Sequence, residues 1–111
     1  MLKVAVEPDC WRRQSLVTAV EAGGGVVASP DEAQVLVWAE PARADLLPPM
    51  LDENPNIDWV QLPYAGIEPF LEMLRSRTHL SWTCGKGVYA LPVAEHVLAL
   101  ALAGFRSIHT Y

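Results

Sequence analysis

The residues best suited to bind a small anion stand in a short turn, Tyr64-Ala65-Gly66, which follows the apolar run from Ile57 to Leu62. In parallel α/β sheets, ligands lie at the carboxyl ends of strands, where loop N–H groups and helix N-termini attract negative charge. Gly66 has no side chain, so a ligand can approach its backbone amide closely. The segment is thus either an anion-binding turn or a tight turn in which glycine only eases the backbone conformation.

Two glycine-rich segments match the pattern G-x-G-x-x-A, which can mark a dinucleotide-binding turn. The first, Gly23 to Ala28, follows a helical segment and precedes a strand, the reverse of the required order, and therefore predicts a helix C-cap. The second, Gly85 to Ala90, follows a strand and precedes a helix, but no Asp or Glu occurs after Glu95 to bind a ribose. We expect this loop to lie beside a cofactor rather than to form a complete cofactor site.

The other residue types capable of chemistry form no catalytic pattern. His79, His96 and His109 have no metal-ligand spacing, and the serines lie in no G-x-S-x-G motif. Core packing is the first interpretation of the tryptophans, although Trp38 ends a strand and could line a pocket.

Strands and helices alternate along the chain. Short β-branched or apolar runs predict strands at 2–7, 26–28, 35–38, 57–62 and 79–83. Helical spacing predicts a first helix after a possible N-cap at Asp9. It also predicts a weak helix over 46–51, despite Pro48 and Pro49, and a helix over 68–75. The strongest predicted helix runs from Pro92 to about Arg106. This alternation predicts an α/β fold, with a parallel sheet of about five strands and helices on both faces in three layers.

Composition excludes several classes of protein. The chain has 111 residues, of which 51% are hydrophobic, and a net charge of −5. This length suits one domain, and the composition is not that of a disordered chain. The acidic balance argues against a nucleic-acid partner. The longest apolar stretch, Val97 to Phe105, is too short to span a bilayer, and the two cysteines have no metal spacing. We therefore expect a reduced, soluble, cytoplasmic protein without a membrane partner.

The last helix is apolar on nearly every side, and Glu95 and His96 are its only polar residues before Gly104. A helix of this kind is normally buried from several directions. An edge helix of so small a domain cannot be covered in that way, so we expect the chain to be part of a larger one.

Two segments resemble a known family, the D-isomer-specific 2-hydroxyacid dehydrogenases. The segment Ile57-Asp-Trp-Val-Gln-Leu-Pro-Tyr-Ala-Gly-Ile-Glu68 is similar to that family's segment ending in a Gly-Val-Asp turn. The segment Gly87-Val-Tyr-Ala-Leu-Pro-Val-Ala-Glu-His-Val-Leu-Ala-Leu-Ala-Leu-Ala-Gly-Phe-Arg106 resembles its Val-Ala-Glu helix. The run from Val35 to Pro41 is similar to the glyoxylate/hydroxypyruvate reductase branch.

The resemblance implies a flavodoxin-like substrate domain, with residues 1–91 as its N-terminal part and residues 92–111 as an interdomain helix toward a Rossmann domain. It implies an NAD- or NADP-dependent oxidoreductase, usually a homodimer, that interconverts a small 2-keto acid and a D-2-hydroxy acid. The family's catalytic residues would lie beyond Tyr111, so this stretch alone is expected to be inactive, and Glu95 and His96 are not the catalytic pair.

The resemblance also implies roles for particular residues. Ala65 and Gly66 match the turn whose amides bind the substrate carboxylate, with Tyr64 and Trp38 beside it, and Gly85 and Tyr89 lie in the loop that approaches the cofactor. Two positions depart from the family pattern: Cys84-Gly-Lys86 replaces Asn-x-Pro, and Glu68 replaces Asp. The alternative is a stand-alone α/β module that binds a ligand or a partner without catalysis.

Overall fold

The computed structural model describes residues 2–85 and 90–106, with side chains up to Gly104 in the last helix. The strands are β1 (Lys3–Glu7), β2 (Val26–Val27), β3 (Val35–Trp38), β4 (Trp59–Gln61) and β5 (Ser81–Thr83). The helices are α1 (Arg13–Ala22), α2 (Leu47–Glu53), α3 (Leu71–Ser76) and α4 (Ala90–Arg106). Two 3-10 segments, Pro41–Leu46 and Glu68–Phe70, lead into α2 and α3.

All five strands are parallel and lie in the order β2-β1-β3-β4-β5. The predicted parallel α/β sheet is confirmed, and the strand order is the flavodoxin-like one. The register pairs Glu7 with Trp38, Val37 with Gln61, and Gln61 with Thr83. The carboxyl ends of β1, β3, β4 and β5 therefore meet along one edge of the sheet.

The main core lies between the sheet and the layer formed by α2 and α3. Alternate strand residues point into this layer, because successive side chains of a strand face opposite sides of the sheet. Leu36, Val60 and Phe70 are among its fully buried members. The whole buried cluster consists of Ala5, Ala33, Leu36, Trp38, Leu47, Leu51, Ile57, Val60, Leu62, Phe70 and Leu80.

The opposite face of the sheet is covered by α1, which lies over β1 and β2. Val4 and Val6 are buried beneath it. Farther along the same face, Trp59 on β4 keeps 37% of its surface exposed. A shallow apolar groove of about 280 Å³ runs between α1 and β4. The three layers are therefore present, but the α1 layer covers only part of its face.

Helix α1 begins later than the sequence predicted. Asp9 is not its N-cap: the helix starts at Arg13, and Arg12 is the N-cap residue without a side-chain cap. The chain first makes a turn that is closed by a hydrogen bond of 3.1 Å from the Arg13 N–H to the Cys10 carbonyl. The prediction failed because an Asp before an apolar period can equally well stand in such a turn.

The other local expectations are confirmed with shifted ends. Helix α2 forms with Pro48 and Pro49 in its first turn, where a missing N–H costs no helical hydrogen bond. Gly23 is the C-cap of α1, and Gly24 follows with a φ of 89°. The glycine run is thus a helix terminator, as its position before a strand indicated.

Helix α4 starts at Ala90, two residues before the predicted Pro92, and leaves its apolar side chains exposed. Its large apolar residues are between 55% and 69% exposed: Leu91, Val93, Val97, Leu98, Leu100 and Leu102. Among the described residues, no helix combines the length and the apolar character needed to cross a membrane.

Candidate functional site

The turn after β4 lies at the carboxyl edge of the sheet, as the sequence predicted. Tyr64, Ala65 and Gly66 are all exposed. No described residue accepts a hydrogen bond from the backbone N–H of Ala65 or Gly66. Two exposed residues with amide donors that no described residue engages therefore stand at the edge where parallel sheets bind their ligands. Such donors can hold a carboxylate by charge-assisted hydrogen bonds.

The carboxylate of Glu68 lies against this turn. A methyl group added at Gly66 would come within 2.9 Å of the Glu68 Oε2 atom. Glu68 is exposed and opens the 3-10 segment that leads into α3. A fixed negative charge beside the amides opposes the binding of an anion there, although water screens it at an exposed position.

Arg12 reaches the same turn from the loop between β1 and α1. Its Nη2 donates a hydrogen bond of 2.6 Å to the phenol oxygen of Tyr64, and its guanidinium lies 5.3 Å from the centre of the Tyr64 ring. The guanidinium also lies 4.6 Å from the centre of the Trp11 ring. Both distances are typical of cation–π contacts.

Arg12 also contacts the segment that follows β3. Its Nη1 donates a hydrogen bond of 3.4 Å to the Ala39 carbonyl and lies 3.6 Å from the Glu40 Oε1 atom. Glu40 is itself oriented, since it accepts a hydrogen bond of 3.1 Å from the Ala42 N–H. Arg12 therefore links three loops at the carboxyl edge, and Glu40 balances part of its charge.

A small cavity of about 140 Å³ lies beside these contacts, between the start of α1 and the ends of β3 and β4. Its lining includes Arg12, Gln61 and Tyr64. Trp38 also borders it, although the Trp38 side chain is fully buried in the main core. The Nε1 atom of Trp38 has no hydrogen-bond partner within residues 2–85 and 90–104. The full lining comprises Arg12, Leu16, Val37, Trp38, Ala39, Gln61, Leu62, Pro63 and Tyr64.

Gly85, predicted to approach a cofactor, lies against the same turn. Its N–H donates a hydrogen bond of 3.2 Å to the Tyr64 carbonyl, and a methyl group added at Gly85 would lie 3.5 Å from the Tyr64 carbonyl carbon. The structure thus brings together Tyr64, Ala65, Gly66 and Gly85. Tyr89, the other predicted cofactor residue, lies outside the described residues.

Sequence reasoning missed Arg12, Trp11 and Glu40. The pair Arg12-Arg13 was the only cluster of basic residues, and its place just after β1 was the one available signal. Nothing in the spacing showed that the two side chains diverge: Arg13 turns back to donate a hydrogen bond of 2.9 Å to the Val6 carbonyl. Their different partners depend on the arrangement of the strand ends.

Among the described residues, neither the pKa shifts nor the arrangement of possible metal ligands indicates a catalytic centre. Asp45 and Arg43 form an exposed pair, in which a side-chain hydrogen bond from Arg43 lowers the pKa of Asp45 and raises that of Arg43. Within the described ranges, no group of three or more His, Cys, Asp or Glu residues is placed to hold a metal ion. The arrangement at the carboxyl edge is suited to binding and orienting a small anion.

The strand order defines this chain as a flavodoxin-like α/β domain, and the turn after β4 lies where such sheets place ligands. Comparison with protein-family models, with curated proteins and with solved structures gave no significant match.

Proposed function

We propose that this chain forms part of an NAD(P)-dependent oxidoreductase that interconverts a small 2-keto acid and a D-2-hydroxy acid. In this proposal the turn Ala65-Gly66 binds the substrate carboxylate through its two amides. The observation that carries it is the pair of exposed residues after β4 whose backbone N–H groups have no acceptor among the described residues.

The size of the neighbouring cavity supports a small ligand. A volume of about 140 Å³ is that of roughly four to five water molecules in the liquid. A molecule of the size of glyoxylate fits this volume, and its carboxylate would need two or three donors at one end. Tyr64 borders the cavity and directly precedes Ala65 and Gly66 in the chain.

The cofactor part of the proposal rests on the resemblance of the two segments and on the position of Gly85. NAD or NADP would be held by a Rossmann domain, and the 111 residues supply one wall of the cleft. Closure of two domains would exclude water and orient the keto group toward the nicotinamide. A cytoplasmic location and a homodimeric state belong to the same proposal. We expect these 111 residues to bind a substrate without turning it over.

The test is titration of the uniformly ¹⁵N-labelled chain with glyoxylate, followed by the backbone amide signals. We expect saturable shifts at Ala65 and Gly66 that exceed those elsewhere, at concentrations up to about 10 mM, because isolated small anions bind weakly. Glycolaldehyde, which lacks the carboxylate, serves as the matched control and should leave both signals in place. Equal responses to the two compounds, or no response at the turn, would contradict the proposal.

A partner-binding module without catalysis is the second candidate, and the exposure of α4 favours it. Six large apolar side chains on one helix are each more than half exposed, and clustered exposed apolar side chains often mark a protein–protein interface. In that case a partner would shift the amide signals of α4, whereas glyoxylate would shift none.

A further inference from the structure

Arg12 is the residue through which the strand ends are connected. It makes contacts with Tyr64 after β4 and with Ala39 and Glu40 after β3, while its own backbone begins α1. Tyr64 extends the connection to the end of β5, because its carbonyl accepts the hydrogen bond from Gly85. The Arg12 side chain thereby connects the ends of β1, β3 and β4, and the Tyr64 backbone connects this group to the end of β5.

Two roles are open to an arginine in this position: direct binding of an anion, or orientation of the turn. The geometry favours orientation. Glu40 lies 3.6 Å from Nη1 and balances the positive charge. Nη2 is already engaged by Tyr64 at 2.6 Å, and the ring centres of Trp11 and Tyr64 lie 4.6 Å and 5.3 Å from the guanidinium. One donor on each terminal nitrogen is therefore engaged by the protein, and the pairing with Glu40 reduces the positive charge available to an incoming anion.

We propose that Arg12 is a positioning residue, which holds Tyr64 so that the amides of Ala65 and Gly66 keep a fixed arrangement. The inference rests on the proposed function of that turn as a carboxylate-binding site. Its physical basis is preorganisation: a turn that is held in its binding conformation loses less conformational entropy when the ligand arrives. The planar guanidinium of arginine is suited to hold Tyr64 in place, because it can donate hydrogen bonds to two partners while it lies against aromatic rings.

The first measurement is made on the free protein, by ¹⁵N relaxation of Ala65 and Gly66. We expect order parameters near 0.85 in the wild type, roughly the value of a rigid backbone, and values below about 0.6 in Arg12→Ala. Tyr64→Phe removes only the phenol oxygen, keeps the ring, and should loosen the same two amides to a smaller extent. Arg43→Ala, which removes an exposed arginine paired with Asp45, is the matched control and should leave both amides rigid.

The second measurement is the affinity for glyoxylate. Arg12→Ala and Tyr64→Phe should each weaken it by roughly threefold to tenfold, and the double variant should lose little more than Arg12→Ala alone, because both changes break one connection. Arg12→Lys separates the two roles. A lysine keeps the positive charge but lacks the planar guanidinium. If Arg12 positions the turn, Arg12→Lys should weaken glyoxylate binding as much as Arg12→Ala does. If Arg12 attracts the anion by its charge, Arg12→Lys should keep the wild-type affinity.

The two proposals fail in different ways. Absence of glyoxylate binding to the wild type contradicts the carboxylate site, while the order parameters still decide whether Arg12 holds the turn. Unchanged order parameters in both Arg12→Ala and Tyr64→Phe, or full rescue by Arg12→Lys, would overturn the positioning role. A lower thermal stability with unchanged order parameters and affinity would likewise reduce Arg12 to a residue that only supports the fold.

Discussion

Arg12 and Tyr64 are 52 positions apart in the sequence, and a hydrogen bond of 2.6 Å joins the guanidinium of one to the phenol oxygen of the other. The contact connects the loop before α1 with the turn after β4. It exists because parallel strands carry their carboxyl ends to one edge, where loops from distant parts of the chain meet. The proposed site is consequently an assembly of loops, and changes in any of them should alter it.

Glu68 offers a direct test of the electrostatics of the turn. Glu68→Gln removes a negative charge beside Gly66 and keeps the size of the side chain, so we expect tighter glyoxylate binding by about threefold to tenfold, the range for charges that water screens partly. Glu72→Gln, one helical turn farther along, makes the same change in net charge and should alter the affinity by less than about twofold. Titration calorimetry or amide shifts measure both, and equal gains in the two variants would point to net charge rather than to the turn.

Gly24 should be required for its backbone conformation alone. Its φ of 89° is one that residues with a side chain rarely adopt, and an added methyl group would meet nothing within 4 Å. We expect Gly24→Ala to lower the free energy of unfolding by about 1–2 kcal/mol.

The neighbouring Gly23 is the matched control for this substitution. It has a φ of −82°, and Gly23→Ala should be neutral or stabilise the protein by up to about 1 kcal/mol. Urea unfolding of the two variants checks the pair, and equal losses would show that packing rather than φ matters.

The side chain of Asn56 connects the loop before β4 with the loop before β3 by hydrogen bonds. Its Nδ2 donates hydrogen bonds of 2.8 Å to the Pro30 carbonyl and 2.6 Å to the Ala33 carbonyl. Asn56→Asp replaces the donor with a carboxylate that faces two carbonyl oxygens, and should lower the free energy of unfolding by about 1–3 kcal/mol. Gln14→Glu makes the same chemical change at an exposed position in α1 and should stay within about 0.5 kcal/mol of the wild type. A similar loss of unfolding free energy in both variants would contradict the stabilising role of the Asn56 hydrogen bonds.

The pair Arg43 and Asp45 predicts a pH dependence with a definite sign. The hydrogen bond from Arg43 lowers the pKa of Asp45 in the folded state below its ordinary value of 3.8. The pair therefore stabilises the fold above that ordinary value, and the contribution is lost as the pH falls through the folded pKa. Wild type should be more stable than Asp45→Asn at pH about 7, and the difference should shrink as the pH falls below the ordinary pKa of Asp45.

Unfolding by urea at a series of pH values tests this sign, and Arg43→Ala should abolish the same pH-dependent difference. The effect should be small because both side chains are exposed. A difference between wild type and Asp45→Asn that grows toward low pH would contradict the prediction.

The sequence by itself determined the layered fold. Alternating apolar runs and helical segments predicted a parallel sheet with helices on both faces, because periodicity is a local property of the chain. It also placed the turn at Ala65 and Gly66 at a strand end, and it identified the glycine run after α1 as a terminator. The ends of the elements shifted by a few residues, most clearly at Asp9, where a turn and a helix cap have the same local signal.

Only the tertiary structure decided which side chains surround that turn. The position of Arg12 between Trp11 and Tyr64, its ion pair with Glu40 and the closeness of Glu68 to Gly66 appear in no spacing pattern. These contacts depend on the strand order and on the direction of each loop at the sheet edge, which many distant residues fix together. Local sequence therefore specified the elements and the backbone donors, while the packing of the strands specified the side chains that hold them in place.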